Sequence, residues 1–244
     1  MHISPALIEQ RAERMLRERI TPAIHAESVP LALTAWQAPG EPVPFAHAAA
    51  QDYEPIRPGD PWGPPWGTTW LHATGVVPDG WRRREGHRVE LVVDLGFTDT
   101  QPGFQAEGLL RRADGSAIKA VSPFNRAADW EGEPDAVDVY IEAASNPDVA
   151  GGFGFAPTPL GYRETAGDDP LYRLRRVDMA LRDLTVWELV QDLTVLLELA
   201  AGLPEDSTRR ARIDVALERA VDRVDPRDVG GTAAAARAEL ADVL

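Results

Sequence analysis

Residues 66–77, WGTTWLHATGVV, decide the fold class. They are rich in Thr, Val and Trp, side chains that fit a pleated, half-buried surface, and they run into the turn Pro78-Asp79-Gly80. Working outward, residues 89–95 place Val89, Leu91, Val93 and Leu95 on one strand face, and residues 104–111 read as a further strand. Asp114-Gly115 is a hairpin signal leading into a strand over 117–121. Val137, Val139, Ile141 and Ala143 alternate with Asp138, Tyr140 and Glu142, a strand with one wet face. Short strands separated by turns, with no helices between them, predict an antiparallel β-sandwich of jelly-roll type. No internal repeat is evident.

The flanks differ. Ile8, Ala12, Met15, Leu16 and Ile20 recur at helical spacing, with Ser4 as N-cap, Pro5 at the first helical position and Pro22 as the stop. Residues 28–65 hold nine prolines and predict extended, irregular chain with one short strand over 31–36. After Pro170 the pattern turns helical. Leu181, Leu184, Trp187, Leu193, Leu196, Leu197 and Ala200 predict a long helix over 176–201, ended by Gly202 and Pro204. A second helix spans 207–224, with Ile213, Leu217, Ala220 and Val224 on one face. Thr232 would cap a last helix over 233–243, whose alanines bring helix propensity but little core-facing bulk. The fold class expected is therefore mixed: an N-terminal helix over 1–27, the β-sandwich over 28–160, and a C-terminal helical segment over 161–244.

Composition narrows the function. Against 25 Lys and Arg stand 39 Asp and Glu, a formal net charge of −14. That argues against nucleic acid or an anionic membrane as partner, since both are bound by positive charge. Neutral ligands, sugars included, and protein partners remain open. With no cysteine there is no disulfide, no Cys-ligated metal and no Cys nucleophile, which suits a cytoplasmic location. The charged N-terminus has no signal-peptide core, and the apolar stretch over 193–203 is interrupted by Glu198.

Residues with catalytic chemistry do not converge into a motif. The five histidines make no HxH, HxxxH or HxD pair, and His87 and Glu90 face opposite sides at strand spacing, so no metal site is expected in this chain. A metalloenzyme built on His72, His87 and a carboxylate is the weakest alternative. Asp94, Glu107, Asp138 and Glu142 lie on strands, yet a chance pair is expected among 39 acids. No G-x-S-x-G occurs, Ser116 and Ser122 read as turn residues, and Gly151-Gly152-Phe153-Gly154 reads as a loop. No catalytic residue is assigned. The tryptophans carry more information. Trp66 and Trp70, on one strand face, read as core, whereas Trp62 and Trp130, in loops, are candidates for an exposed platform or an interface anchor. Trp62, Trp66, Arg126 and Trp130 are the candidate substrate or interface residues.

Two stretches carry a specific resemblance. The first is PWGPPWGTTWLHATGVVP (61–78), with VELVVDLGF (89–97), PGFQAEGLL (102–110) and DGSAIKAVSPFNR (114–126). The second is AASNPDV (143–149), with PTPLGYRETAGDDPLYRLRRVDMALRDLTVWELVQDLTVLLEL (157–199). In order and spacing the chain resembles the N-terminal, non-catalytic region of cytosolic-type α-mannosidases of glycoside hydrolase family 38, in their bacterial form.

The resemblance implies a sandwich followed by helices that lead into a catalytic domain. That domain would carry zinc or another divalent metal on histidine and aspartate, together with an aspartate nucleophile. This chain has no H-x-D segment, so none of those residues maps onto it, and the metal and catalytic groups are expected in a part this chain lacks. The partners implied are the protein's own catalytic domain and further copies in a homo-oligomer, with carbohydrate as ligand. A free-standing carbohydrate-binding module is the alternative.

Overall fold

The structure, a computed structural model, describes residues 5–98, 105–147 and 159–244. Helix α1 (Pro5–Met15) opens the chain, continues as a π-helical turn (Leu16–Ile20) and tightens into a 3₁₀ turn (Thr21–Ile24). Strands β1 (His25–Pro30) and β2 (Ala32–Gln37) follow, then the single turn α2 (Phe45–Ala48), β3 (Glu54–Pro55) and β4 (Pro61–Trp62). The long strand β5 (Gly67–Val76) and β6 (His87–Asp94) precede β7 (Glu107–Arg112), β8 (Ala117–Val121), β9 (Ala127–Asp129) and β10 (Ala136–Ser145). A turn of helix α3 (Arg163–Ala166) leads to β11 (Tyr172–Arg173) and β12 (Arg176–Asp183). Helices α4 (Leu184–Gly202), α5 (Thr208–Arg223) and α6 (Val229–Ala238) complete the chain.

The chain forms two units. One, comprising 28–81 and 89–180, is the jelly-roll sandwich. Its six-stranded sheet runs β3-β2-β5-β10-β7-β8 with every pairing antiparallel, and a four-stranded sheet runs β1-β12-β6-β9. Leu71 sits opposite Ile141, and Ile141 opposite Leu110; all three are fully buried. Close packing forces the glycine on β7: a Cβ on Gly108 would lie 3.1 Å from Leu95 and 3.3 Å from Ile141.

The opposite face of the six-stranded sheet is not simply wet. Trp36 pairs with Trp70 and His72 with Tyr140, and Phe45 and Tyr53 pack onto the same aromatic group. The rings of His72 and Tyr140 stack at 4.2 Å, and His72 Nε2 lies 2.8 Å from Asp138 Oδ1. Trp70 is thus buried, as core residues are, but on the face away from Leu71. Burial raises the Tyr53 phenol, with Tyr140 adding to the effect.

The second unit, 1–27, 82–88 and 181–244, is helical. Ile8, Ala12 and Ile20 share one apolar cluster with Leu189, Leu193, Leu196, Ile213, Leu217 and Leu240. Ala233 and Ala236 are fully buried, so the alanine run of α6 supplies close approach rather than bulk.

Several expectations need correction. Residues 176–201 are not one helix: 176–183 are the strand β12, in which Val177, Met179 and Leu181 alternate with Asp178 and Arg182, so strand residues continue well past 160. Asp183 then caps α4, its Oδ1 accepting from the Val186 N–H at 3.0 Å. The cap of α6 is Asp228 rather than Thr232, and the helix begins at Val229. Residues 28–65 hold more order than their prolines suggested, with four strands reaching into that range. The Ser4 cap, the start of the expected 104–111 strand and the 151–154 loop lie outside the described residues.

Candidate functional site at the loop end of the sandwich

The structure brings three of the four candidate residues to one end of the sandwich. β5 starts at Gly67, opposite Ser145 at the end of β10, and β6 ends nearby at Asp94. Trp62 reaches that end through its indole N–H, which donates to the Leu95 carbonyl at 2.7 Å. Arg126 Nη1 donates to Asp94 Oδ2 at 2.7 Å. Trp66 stands four residues from Trp62, and its backbone N–H donates to the Ser145 carbonyl at 3.1 Å. Trp130 belongs to the other end: its backbone N–H donates to Val89 at the start of β6, and its indole N–H to the Pro134 carbonyl at 3.0 Å.

Burial reverses the expected roles of the tryptophans. Trp62 and Trp130 are buried, at 4% and 2% exposure, while Trp66 is 39% exposed. The reason for Trp62 is a long-range contact. β4 pairs with β11, so Trp62 lies opposite Tyr172, and the two rings stack at 5.4 Å. The Tyr172 hydroxyl donates to the Asn146 carbonyl, fixing the pair. Trp66 has a backbone φ of +61°, and its indole N–H donates to the Leu160 carbonyl at 2.9 Å. Two flanking contacts hold this loop. Gly63, at φ +75°, sits where a Cβ would come within 2.5 Å of Ser145 Cβ, and the Ser145 hydroxyl bonds the Pro64 and Gly67 carbonyls.

Arg126 is committed to a structural job. Its Nε donates to the Pro123 carbonyl at 2.7 Å, its guanidinium lies 5.6 Å from the Phe97 ring, and Asp94 is its counter-ion. Asp94 in turn accepts from the Gly96 and Phe97 N–H groups at 2.9 and 3.1 Å, and Arg175 Nη1 stands 3.8 Å away. The carboxylate is saturated with donors, which suits a folded loop more than an attacking or proton-shuttling group.

The described residues do not assemble a metal site. His72 meets one carboxylate, Asp138, and His87 meets one, Asp183 Oδ2 at 3.8 Å. Among the described residues no group of three or more His, Asp or Glu gathers as a metal would need. Sequence reasoning missed the aromatic group of Trp36, Phe45, Tyr53, His72 and Tyr140. The alternation of Trp70 and His72 with Leu71 and Ala73, and of Tyr140 with Val139 and Ile141, is its legible signal.

Comparison with known proteins places this architecture. The chain is similar to alpha-mannosidase 2C1 of Mus musculus, 28% identical over 191 residues, which is 76% of this chain and 17% of that protein. It is also similar to alpha-mannosidase 2C1 of Homo sapiens, 26% identical over 209 residues, 82% of this chain and 18% of that protein. The chain thus spans less than a fifth of the length of these relatives. Among solved structures, a Faecalibacterium prausnitzii beta-glucuronidase aligns over 64% of this chain and 31% of that one, with 13% identity and a TM-score of 0.36, too slight a likeness to argue from. The family described as "Alpha-mannosidase, jelly roll domain" matches residues 29–180, the stretch that builds the sandwich and its loop end. The chain belongs to the alpha-mannosidase jelly roll domain family.

Proposed function

We propose that this chain is the non-catalytic, N-terminal jelly-roll region of a cytoplasmic α-mannosidase. It would stabilise a catalytic part of the protein, contribute to a homo-oligomer and shape the approach to the active site. The family match over residues 29–180 carries this reading. Two observations support it. The relatives are named as alpha-mannosidases, and the matched stretch is a small fraction of each. The helical unit leaves Leu7, Trp187, Val195 and Val215 exposed, at 39% to 58%, apolar side chains suited to a covering partner. The metal, zinc or another divalent ion, and the nucleophile would come from the catalytic part; among the described residues no three or more His, Asp or Glu gather.

The test is hydrolysis of an aryl α-mannoside, with zinc or cobalt added, by the 244-residue chain and by the whole open reading frame that contains it. Turnover by the whole frame alone is expected. Turnover by the 244 residues alone, or by neither protein, would defeat the reading.

A further inference from the structure

The N-terminal helix changes pitch where its arginines gather. α1 ends at Met15, and Leu16–Ile20 follow as a π-helical turn, with the Thr21 N–H donating to the Leu16 carbonyl five residues back. Such turns are rare and occur disproportionately at functional sites. The extra residue in the turn re-aims the side chains on either side of it, here Arg14 and Arg19. Five residues apart, these two would stand about 140° from each other around a continuous α-helix. An i→i+5 turn draws them toward one face. Both line a single cavity of about 200 Å³, together with Arg11, Met15, Glu18 and Pro226, the last from the link between α5 and α6. The core holds the turn from behind, since Ile20 is fully buried and Leu16 packs on the same apolar cluster.

The charge of this cavity runs against the charge of the chain. The net charge is −14, yet three guanidinium groups and one carboxylate line the space. Arg11 is paired with Asp222 at 2.7 Å and Glu18 with Arg17 at 2.9 Å, so those charges are balanced locally. Arg14 and Arg19 have no hydrogen-bond or ion-pair partner among the described residues, which leaves two positive charges uncompensated. Like charges lining one cavity repel, and an oxyanion between them removes the repulsion while accepting from both guanidinium forks. The volume matches about seven waters at about 30 Å³ each, below the range of pockets for drug-sized ligands. It suits a tetrahedral dianion with a short organic group, for which Met15 and Pro226 supply an apolar wall. We propose that Arg11, Arg14 and Arg19 form a binding site for a phosphate dianion, as the free ion or as a small phosphate monoester.

The experiment titrates the ¹⁵N-labelled 244-residue chain with inorganic phosphate, glycerol 3-phosphate and acetate at low, matched ionic strength. Backbone amide shifts of residues 11–20 are the readout. The expected result is saturable binding of phosphate with a Kd of about 0.1–3 mM, and acetate, a monoanion, bound at least about tenfold more weakly. Arg14→Gln and Arg19→Gln should each weaken phosphate binding at least about tenfold. Glu18→Gln, which takes the carboxylate out of the lining, should strengthen it. Arg209→Gln is the charge control: Arg209 lies on α5 outside the cavity lining, and its removal should leave affinity unchanged. All four side chains are exposed, so the variants keep the fold, which circular dichroism verifies. Amides that stay in place up to about 20 mM phosphate overturn the proposal. So does unchanged affinity in Arg14→Gln or Arg19→Gln. Equal affinity for acetate, or an equal loss in Arg209→Gln, overturns it as well, because binding would then follow overall charge and not a built site. Glycerol 3-phosphate bound at least as tightly as phosphate assigns the site to a monoester, and weaker binding assigns it to the free ion.

Discussion

Trp62 is held in place by stacking on Tyr172, 110 positions along the chain. Because the indole is enclosed, stacked and hydrogen-bonded to Leu95, Trp62→Ala should cost about 3–5 kcal/mol of unfolding free energy. Urea denaturation followed by far-UV circular dichroism would measure it, and a loss below about 1 kcal/mol would show that β4 and β11 do not grip the loop as described. Trp130→Ala should cost a similar amount without disturbing the Trp66 end, since Trp130 is bonded near β6's first residues instead. On one strand face with Trp70, Trp66 reads as core; side-chain periodicity encodes neither its φ of +61° nor its exposure.

At the scale of the element, legibility depended on whether local pattern and tertiary use agreed. In β10 they did: Val137, Val139, Ile141 and Ala143 alternate and are all buried. In residues 176–202 they competed. Leu181 and Leu184 fit a helical stripe that continues to Ala200, so a strand of eight residues was absorbed into the helix after it. The boundary is chemical, at Asp183, whose carboxylate accepts from Val186. Asp183→Ala should therefore cost about 1 kcal/mol, read from the denaturant midpoint, with Asp183→Ser or Asn restoring most of it. Where α5 meets α1, Asp214 is 3% exposed, and neither carboxyl oxygen has a donor while ionised. Burial raises its pKa, Glu9 raises it further, and Arg210, paired to Glu9 at 2.9 Å, opposes the shift. A carboxyl raised on folding contributes stability that is complete below its unfolded pKa, about 4, and lost as pH rises through the folded value. Stability measured from pH 4 upward should thus carry a downward contribution from Asp214, and Asp214→Asn should flatten it. An unchanged slope in the variant would refute the assignment.

At the scale of the whole molecule, the two units are unequal in how the chain builds them. The sandwich is drawn from two long stretches, 28–81 and 89–180, whereas the helical unit gathers 1–27, 82–88 and 181–244. Local periodicity finds α1 and α5 separately but cannot say that they share a core, because Glu9 and Arg210 meet across 201 positions. The consequence is a dependence of the N-terminus on the C-terminus. Ile8, Ala12 and Ile20 belong to an apolar cluster whose other buried members all lie in α4, α5, α6 and the residues that follow those helices. Each large apolar side chain so enclosed is worth roughly 1.5–3 kcal/mol, and an isolated helix of 11 residues is marginal in water. A fragment ending at Ala180 should therefore contain a sequence for α1 and no folded α1. Amide hydrogen exchange is the measurement: amides of residues 9–20 should be protected in the 244-residue chain and exchange at close to the rate of unstructured chain in the 1–180 fragment, while β5 and β10, paired over ten residues, keep their protection. Protection of α1 in the fragment would mean that its apolar face is satisfied elsewhere, and the helical unit would then not be the cooperative structure its shared core implies.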